Sequence, residues 1–353
     1  MSARVGHGAS IDAGVVSVTS VVDFDSVAME WNALAERSGS IFSTALWARL
    51  WWEHFGRDRE LLLHAARTGD GSLTTALPLY AWRRRLPRVL RFVGNGPGDE
   101  LGPVHPRGAH ASAASALRSA LEGLEWDVFL GEQLPGDEGW PALLDGSTWR
   151  REASPSLTLP ATWDEYLGER SANFREQLRR REAGLAREGA VVVRPAETET
   201  LDGDLDTLFE LHRARWGTTP TDFGDSPFQR ELARESLERG WLRLWLLEIA
   251  GRPIAAWHGF RVGTVCSYYQ AGRDPAFERQ SVGFVLMAHS IRSAIAEGAS
   301  EYRFGRGDEA FKSRFASRDL GLESVLLTRG AVGASAAAGA RLARGARNLV
   351  RRG

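Results

Sequence analysis

The residue of this sequence that is best suited to chemistry is Lys312, the single lysine of the chain. The 353 residues include 44 basic ones, and the other 43 are arginines. A compact ammonium on a flexible stem can approach a carbonyl oxygen or a phosphate as a point charge, which a planar guanidinium does less well. Lys312 is therefore predicted to be catalytic, as a stabiliser of an oxyanion or of an anionic group. The alternative is one lysine codon that survived in an arginine-rich composition.

Two acids lie shortly before Lys312. A short helix is predicted from Asp308 to about Arg318, with Asp308 as its N-cap. Lys312 lies four residues after Asp308, so the two side chains would share one face of that helix. Asp308 is therefore a second catalytic candidate. Glu309 would either face a cleft and bind substrate or only favour the helix dipole.

Histidine and tyrosine side chains, which often serve as general base and general acid, lie on two predicted strands. His258 and Tyr269 are the catalytic candidates among them. His258 shares its strand face with apolar residues, so a buried core histidine is the alternative. Tyr268 and Tyr269 must point to opposite faces of their strand, and one of them is expected in the core. Cys266 is interpreted as a packing residue.

A glycine in the first turn of a long predicted helix, Ser281 to Gly298, is a candidate anion site. Free N–H groups and the dipole at a helix N-terminus can hold a pyrophosphate, and a glycine lets it approach the backbone. The alternative is an ordinary helix start with Ser281 as N-cap. The assignment of a cofactor to this turn rests on the family resemblance described below, and it names Gln280, Ser281, Val282, Gly283 and Phe284.

Two other segments have open interpretations. A glycine-rich loop at 94–100 lacks the Gly-Lys-Ser/Thr ending of a P-loop, and it is either a plain connection or a lining of a substrate groove through Asp99. A predicted helix at 171–189 carries five arginines, which form a solvated basic face or meet a phosphate. These arginines are Arg175, Arg179, Arg180, Arg181 and Arg187.

The elements that must position these residues occur in two similar successions. Each contains helices, an antiparallel group of strands, a further helix and a further strand. Leu117-Arg-Ser-Ala-Leu121 aligns without gaps to Ile291-Arg-Ser-Ala-Ile295 when Gly131 is set against Gly305. Because the similarity falls on the same helix-to-strand unit, a structural duplication is predicted.

The chain length fits two domains, each large enough for its own core. The predicted boundaries are 15–160 and 161–330, followed by a basic Ala/Gly/Arg tail at 331–353. As a helix, the tail would place its arginines three or four residues apart. It is either a solvated end or a segment with a weak contact to an anionic membrane surface.

Composition narrows the class of protein. A net charge of −1 gives no global field for nucleic acid, so an anionic ligand must be bound locally. The single cysteine excludes an intrachain disulfide, and the first 30 residues lack the pattern of a signal peptide, which predicts a cytoplasmic protein. No run approaches the roughly 18 apolar residues of a membrane span. No metal site is predicted.

The segment Tyr302-Arg-Phe-Gly-Arg-Gly-Asp-Glu-Ala-Phe-Lys312 resembles the Y-D-F-x-x-G-D-E-x-Y-K segment of acetyltransferases associated with cellulose biosynthesis (CelD type) and of the related Fem peptidoglycan-bridge transferases. The element order of the second half is similar to that of the GNAT superfamily, and Gln280-Ser-Val-Gly283 resembles the start of its Q/R-x-x-G-x-G/A turn. The departures are Val285 for a small residue, Arg303 for Asp and Phe311 for Tyr.

The resemblance implies an α+β fold of two tandem GNAT-like domains, each a mixed, mainly antiparallel sheet flanked by helices. It implies an N- or O-acyltransferase that moves an acyl group, such as acetyl, from an acyl-CoA to a saccharide, a sugar nucleotide or a precursor of surface polysaccharide. The second domain would bind the acetyl-CoA or other acyl-CoA, the first domain would bind none, and the cleft between them would hold the acceptor. The residues predicted to bind substrate are Arg215, Trp216, Glu309 and Phe311.

Two other functions stay open at this point. One is a Fem-type transferase that uses aminoacyl-tRNA and acts on a peptidoglycan precursor. The balanced charge and the lack of a long coiled-coil stretch count against it. The other is a catalytically inactive GNAT-like module of a polysaccharide-synthesis system.

Overall fold

The computed structural model describes residues 17–82, 86–217 and 223–350, with side chains described up to residue 344. In these ranges the chain forms two seven-stranded sheets and ten α-helices. The elements of the first half are β1 (Ser17–Ser20), α1 (Ala28–Ser38), α2 (Ala45–Phe55), β2 (Arg59–Arg67), β3 (Leu73–Trp82), β4 (Val89–Phe92), α3 (His110–Glu122), β5 (Val128–Pro135), α4 (Trp140–Leu143), β6 (Ser147–Glu152) and β7 (Pro155–Thr158).

The second half contains more helix than the first. Its elements are α5 (Trp163–Glu169), α6 (Ala172–Glu188), β8 (Val191–Pro195), α7 (Leu201–Trp216), α8 (Pro227–Glu238), β9 (Leu242–Ile249), β10 (Arg252–Val262), β11 (Val265–Arg273), α9 (Val282–Ala296), β12 (Glu301–Arg303), β13 (Arg318–Asp319), β14 (Leu322–Thr328) and α10 (Gly330–Val350).

The two sheets repeat one topology. The first sheet has the order β1-β2-β3-β4-β5-β14-β6, and the second, taken in the matching direction, is β8-β9-β10-β11-β12-β7-β13. One neighbouring pair in each sheet is parallel, β4 with β5 and β11 with β12, and each parallel pair is joined through a helix, α3 or α9. The other neighbouring pairs are antiparallel. The duplication predicted from the sequence is confirmed by this match.

One strand position is exchanged between the sheets. β14, near the end of the described chain, lies between β5 and β6 of the first sheet. β7 lies between β12 and β13 of the second sheet, where Leu157 pairs with Tyr302. Each sheet is therefore completed by a strand from the other half of the sequence. The domain boundary predicted at residue 160 divides the chain by position in the sequence alone, and it stays a prediction.

The hydrophobic core has three main parts. A central cluster is shared by both halves and includes Trp31 and Trp47 from the first half and Leu208, Phe228 and Tyr269 from the second. A second cluster fills the space between the second sheet and α9, and a third lies between the first sheet and α3. Because the central cluster draws on both halves, packing stabilises their contact as well as each half.

The basic tail forms most of α10. Ala337 is buried against Val128 and Leu326. The Arg344 guanidinium lies over the Trp149 ring, 5.4 Å from its centroid, which is within the distance of a cation–π contact. The described part of the tail therefore packs on the first sheet. Within the described ranges, none of the helices has the length and apolar character needed to span a membrane.

Candidate functional site

The pocket that we call the α9 pocket lies between β11 and the start of α9 and has a volume of about 360 Å³. Its interior is lined by apolar and aromatic side chains, including Trp257, Leu286 and Met287. Its remaining lining includes four arginines and one acid: Arg181, Arg215, Arg273, Arg314 and Glu278. The combination suits a ligand with an apolar part and an anionic part.

The first turn of α9 forms one wall of this pocket. Ser281 is the N-cap of α9 by position, as the alternative expected, but its φ is 53° and its side chain makes no capping hydrogen bond. Gly283 is exposed, and the nearest atom that a Cβ there would meet is Cδ of Arg273, at 3.9 Å. A phosphate can therefore approach the Gly283 backbone from the pocket.

The five predicted cofactor residues have different environments. Ser281, Gly283 and Phe284 line the α9 pocket, whereas Val282 is fully buried. The Gln280 amide donates to Glu188 at 3.0 Å and is not part of the lining. Val285, the departure from the family turn, lines a separate pocket with Val191 and Val193. Its side chain therefore does not cover the Gly283 backbone.

Two arginines flank the aromatic ring at the mouth of the α9 pocket. Arg181 lies 5.0 Å and Arg314 lies 4.4 Å from the centroid of Phe284. Neither forms an ion pair with an acid among the described residues. Burial, followed by the charges of Arg314 and Arg180, lowers the pKa of Arg181. The mouth therefore carries positive charge without a counterion from the described part of the chain, which favours an anionic ligand.

Tyr268 and Phe311 form the inner wall of the pocket. Their rings meet edge to face with centroids 5.9 Å apart. Burial raises the pKa of Tyr268 to about 12, so the hydroxyl stays protonated at neutral pH and can act as a donor. The sequence proposed Tyr269 rather than Tyr268. The two tyrosines are adjacent on one strand, so the sequence alone could not show which of the two rings faces the pocket.

Of the predicted substrate-binding residues, Arg215 and Phe311 line the pocket. The Arg215 guanidinium lies 4.6 Å from the Trp216 ring and 5.7 Å from the Phe311 ring. Trp216 lines a different, smaller pocket. Glu309 is partly exposed and pairs with Lys312. The four residues therefore do not surround one cavity.

Tyr269 and His258 lie on the opposite side of the second sheet, in or against the central core. The Tyr269 hydroxyl donates to the Pro97 carbonyl at 3.2 Å and accepts from Gln229 at 2.9 Å. The expectation that Tyr268 and Tyr269 face opposite ways is confirmed. His258 is 1% exposed, and burial lowers its pKa to about 3. Its ring nitrogens have no hydrogen-bond partner within the described ranges, and its catalytic role stays a prediction.

The helix predicted from Asp308 to Arg318 is wrong. Only Lys312 to Arg314 form a single 3-10 turn, and Asp308 is exposed in an irregular segment ahead of it. Asp308 is therefore no helix N-cap and shares no helix face with Lys312. The physical reason is a tertiary contact: the Lys312 ammonium reaches back to the carbonyls of 305–307, and the segment folds onto that turn instead of continuing as a helix.

Lys312 is the buried centre of this bend. Its side chain is 2% exposed, and Nζ donates to the Arg306 carbonyl at 2.6 Å, with the Gly305 and Gly307 carbonyls at 3.4 and 3.5 Å. Nζ also lies 2.8 Å from a Glu309 carboxylate oxygen. An ammonium has three N–H donors, and these groups can use all of them. Lys312 therefore holds the turn at 305–307.

The loop at 94–100 of the first half reaches the same turn. The Arg306 backbone N–H donates to Asp99 Oδ2 at 3.2 Å, and the Arg306 guanidinium lies 3.6 Å from Oδ1. Burial raises the pKa of Asp99, while the charge of Arg306 opposes the shift. The loop is more than a plain connection, because it brings a carboxylate of the first half to the turn that Lys312 holds.

Arg303 fixes the next contact between the halves. Its guanidinium donates to both oxygens of Glu100, at 3.0 and 2.9 Å, and to Glu301 at 3.0 Å. This departure from the family segment is thus part of an ion-pair network between the halves. Groups of side chains suited to a metal ion are absent from the described residues.

Comparison with protein families gives one match. Residues 172–313 match the family described as "Acetyltransferase (GNAT) domain". The matched range contains α9, Tyr268 and Lys312 and therefore most of the α9 pocket. No curated protein sequence matches the chain. Over this range, the second half of the chain is similar to acetyltransferase domains of the GNAT superfamily.

Solved structures resemble nearly the whole chain. The C-terminal domain of a putative lysylphosphatidylglycerol synthetase from Agrobacterium fabrum is similar with a TM-score of 0.59 and 13% identity, over 91% of this chain and 97% of that one. FemX gives a TM-score of 0.58 and 13% identity over 89% and 97%. L-PGS from Bacillus licheniformis gives 0.52 and 12% over 89% and 95%. At such identity the similarity concerns the fold alone.

The predicted fold class is confirmed by these findings. The chain is an α+β protein with two GNAT-like units, each a mixed, mainly antiparallel sheet flanked by helices. The structural similarity to FemX agrees with the Fem part of the resemblance seen in the sequence.

Proposed function

We propose that this protein is an acyltransferase that moves an acyl group, such as acetyl, from acyl-CoA to an amine or hydroxyl. The observation that carries the proposal is the α9 pocket, in which an apolar interior meets an open Gly283 backbone and two arginines without acidic partners. Acyl-CoA combines an acyl-pantetheine arm with phosphate groups, and it would supply the activated acyl group. The residues present fit such a donor.

The phosphate groups would be held at the mouth of the pocket. The N–H groups at the start of α9 and the guanidinium groups of Arg181 and Arg314 are the donors available there. The aromatic interior, with Tyr268 and Phe311, would take the apolar arm and exclude water from the reacting end. In this proposal the first half binds no acyl-CoA.

Three groups near the inner wall would act on the reaction. The Tyr268 hydroxyl, which stays protonated, would give its proton to the leaving thiolate. Asp99, whose carboxyl is partly accessible where the 94–100 loop meets the 305–307 turn, would accept the proton of the attacking amine or hydroxyl. Lys312 would act through the 305–307 turn as a positioning residue, because its donors are already engaged. Asp308, Tyr269 and His258 have no part in this scheme.

The acceptor would enter between the two halves, where the 94–100 loop meets the 305–307 turn. Its proposed class, a saccharide, a sugar nucleotide or a precursor of surface polysaccharide, rests on the resemblance of the 302–312 segment to CelD-type acetyltransferases. Assignment to that type, and a place in the cytoplasm, are parts of the same proposal.

The experiment that tests the function is a mass-shift screen of the whole chain against a panel of acyl-CoAs, followed by incubation with amino sugars. The proposal expects a bound acyl-CoA and an acylated sugar. Binding of no acyl-CoA in the panel would refute it. Transfer without saccharide preference would refute only the acceptor class.

Aminoacyl transfer is the second candidate. Two of the structures with the same fold are FemX and a putative lysylphosphatidylglycerol synthetase, and the arginine-lined mouth would also suit the phosphates of an RNA 3′ end. Incubation with charged tRNA in place of acyl-CoA separates the two, because only one donor should lose its acyl group. If neither donor reacts, the chain is an inactive module.

A further inference from the structure

A second cavity, which we call the junction pocket, lies between the two halves and shares no lining residue with the α9 pocket. Its volume is about 300 Å³, enough for a molecule the size of a monosaccharide or an amino acid. Most of its lining residues are charged or polar, and none of them is a phenylalanine, tyrosine or tryptophan. A site of this kind selects its ligand by charge and hydrogen bonds rather than by stacking.

One wall of the junction pocket has an excess of positive charge. Glu301 is a buried carboxylate with three guanidinium groups around it: Arg107 at 2.7 Å, Arg303 at 3.0 Å and Arg318 at 3.5 Å. Arg303 is also neutralised by Glu100. Arg107 and Arg318 have Glu301 as their common acid, and both side chains are 47% exposed.

These two arginines still have free donors. Arg107 donates from Nη2 to the Glu301 carboxylate and from Nε to the Ser38 carbonyl. Arg318 donates from Nε to the Ser156 hydroxyl. For the described part of the chain, no hydrogen bond occupies Nη1 of either residue. Two half-exposed guanidinium groups that share one carboxylate form a site for an added carboxylate or phosphate.

A further part of the lining is acidic. Asp137 is exposed and has no hydrogen bond or ion pair within the described ranges. Glu138 accepts from the Trp140 indole at 2.9 Å and lies 3.6 Å from His105 Nε2. Asp137 therefore has both oxygens free for a ligand that carries an ammonium or hydroxyl groups.

We propose that the junction pocket binds a small zwitterion, a molecule with one amine and one phosphate or carboxylate. The anionic group would lie between Arg107 and Arg318, and the amine would lie at Asp137. A ligand with only an anionic or only a cationic group would pair with the arginines or with Asp137 but not with both, and its affinity would be lower. The binding requires no acyl donor, so it can hold or fail independently of the acyl-transfer proposal.

The test compares four probes on the whole chain by isothermal titration, without any acyl donor. Glucosamine 6-phosphate and O-phosphoethanolamine carry both charges, glucose 6-phosphate lacks the amine, and glucosamine lacks the phosphate. We expect the zwitterions to bind at least tenfold more tightly than either molecule of a single charge. Equal binding of glucosamine 6-phosphate and glucose 6-phosphate, or no binding of any probe, would overturn the proposal.

Variants locate the site. Arg318→Gln should weaken zwitterion binding about tenfold or more, since it removes a charge-assisted contact. Asp137→Asn, at an exposed position that leaves folding intact, should bring glucosamine 6-phosphate to the level of glucose 6-phosphate. Arg179→Gln, an exposed arginine on α6, is the matched control and should change nothing. A loss with Arg181→Gln but none with Asp137→Asn would place the ligand in the α9 pocket and overturn the inference.

Discussion

Replacing Lys312 by methionine tests the role of the buried ammonium. Methionine has a similar length but cannot donate to the carbonyls of the 305–307 turn or pair with Glu309. Three backbone carbonyls lie within 3.5 Å of Nζ, and the side chain is 2% exposed. Because the site is buried, water cannot easily replace the hydrogen bonds that the ammonium donates to these carbonyls.

The size of the loss follows from these contacts. Removing one partner of a buried charged pair lowers the free energy of unfolding by about 3–5 kcal/mol. The Glu309 side chain is 46% exposed and can be solvated once its partner is lost, so the cost of breaking this pair is smaller. A carbonyl left without a donor costs about 1–3 kcal/mol. We expect Lys312→Met to lower the free energy of unfolding by about 3 kcal/mol.

The assay is urea unfolding followed by tryptophan fluorescence. Ser313→Ala is the control, because Ser313 is exposed and donates only to the Ala310 carbonyl, so its loss should stay within about 0.5 kcal/mol. An equally small change in Lys312→Met would refute the view that Lys312 holds the turn. Lys312→Arg keeps the charge but has to fit a larger group into the same buried space, so it should lose both stability and turnover. Near wild-type turnover in this variant would remove Lys312 from the mechanism.

Three further predictions concern the pocket mouth, the core histidine and the exchanged strand. Arg181→Gln and Arg314→Gln should each weaken acyl-CoA binding about 10-fold to 100-fold in titrations, while Arg179→Gln leaves it unchanged. His258 has a folded pKa of about 3, below its unfolded value of 6.5, so its contribution to stability is complete above pH 6.5 and falls by about 1.4 kcal/mol for each pH unit below it. His258→Phe should therefore show a shallower loss of unfolding free energy between pH 6.5 and 4, and an unchanged slope would contradict the burial argument. Ending the chain before 322 removes β14 from between β5 and β6 and should abolish cooperative unfolding in circular dichroism, whereas a retained sharp transition would argue against the exchanged strand.

Local patterns in the sequence were sufficient for much of the fold. The succession of helices, antiparallel strands, helix and strand in each half, the duplication and the opposite orientation of Tyr268 and Tyr269 follow from periodicity and from a repeated segment. The glycine in the first turn of α9, singled out from the sequence, lines the α9 pocket, and its role in binding a cofactor stays a prediction. These features depend on neighbours in the sequence, which explains why they could be read from it.

The remaining features depend on contacts between distant residues. The exchange of β7 and β14 could not be predicted, because a short apolar strand fits either sheet equally well by pattern. Arg181 and Arg314 meet at Phe284 only after folding. The false helix after Asp308 had suitable residues, but the contact of the buried Lys312 ammonium with the 305–307 turn overrides local propensity.

The most direct test of acyl transfer from CoA is a titration of the whole chain with acetyl-CoA and longer acyl-CoAs, repeated with the Arg181→Gln, Arg314→Gln double variant. The α9 pocket predicts one molecule bound per chain, with heat of binding that is strongly reduced in the double variant. Absence of binding to every acyl-CoA, or a stoichiometry of two that the double variant leaves intact, would contradict the donor site proposed for the start of α9.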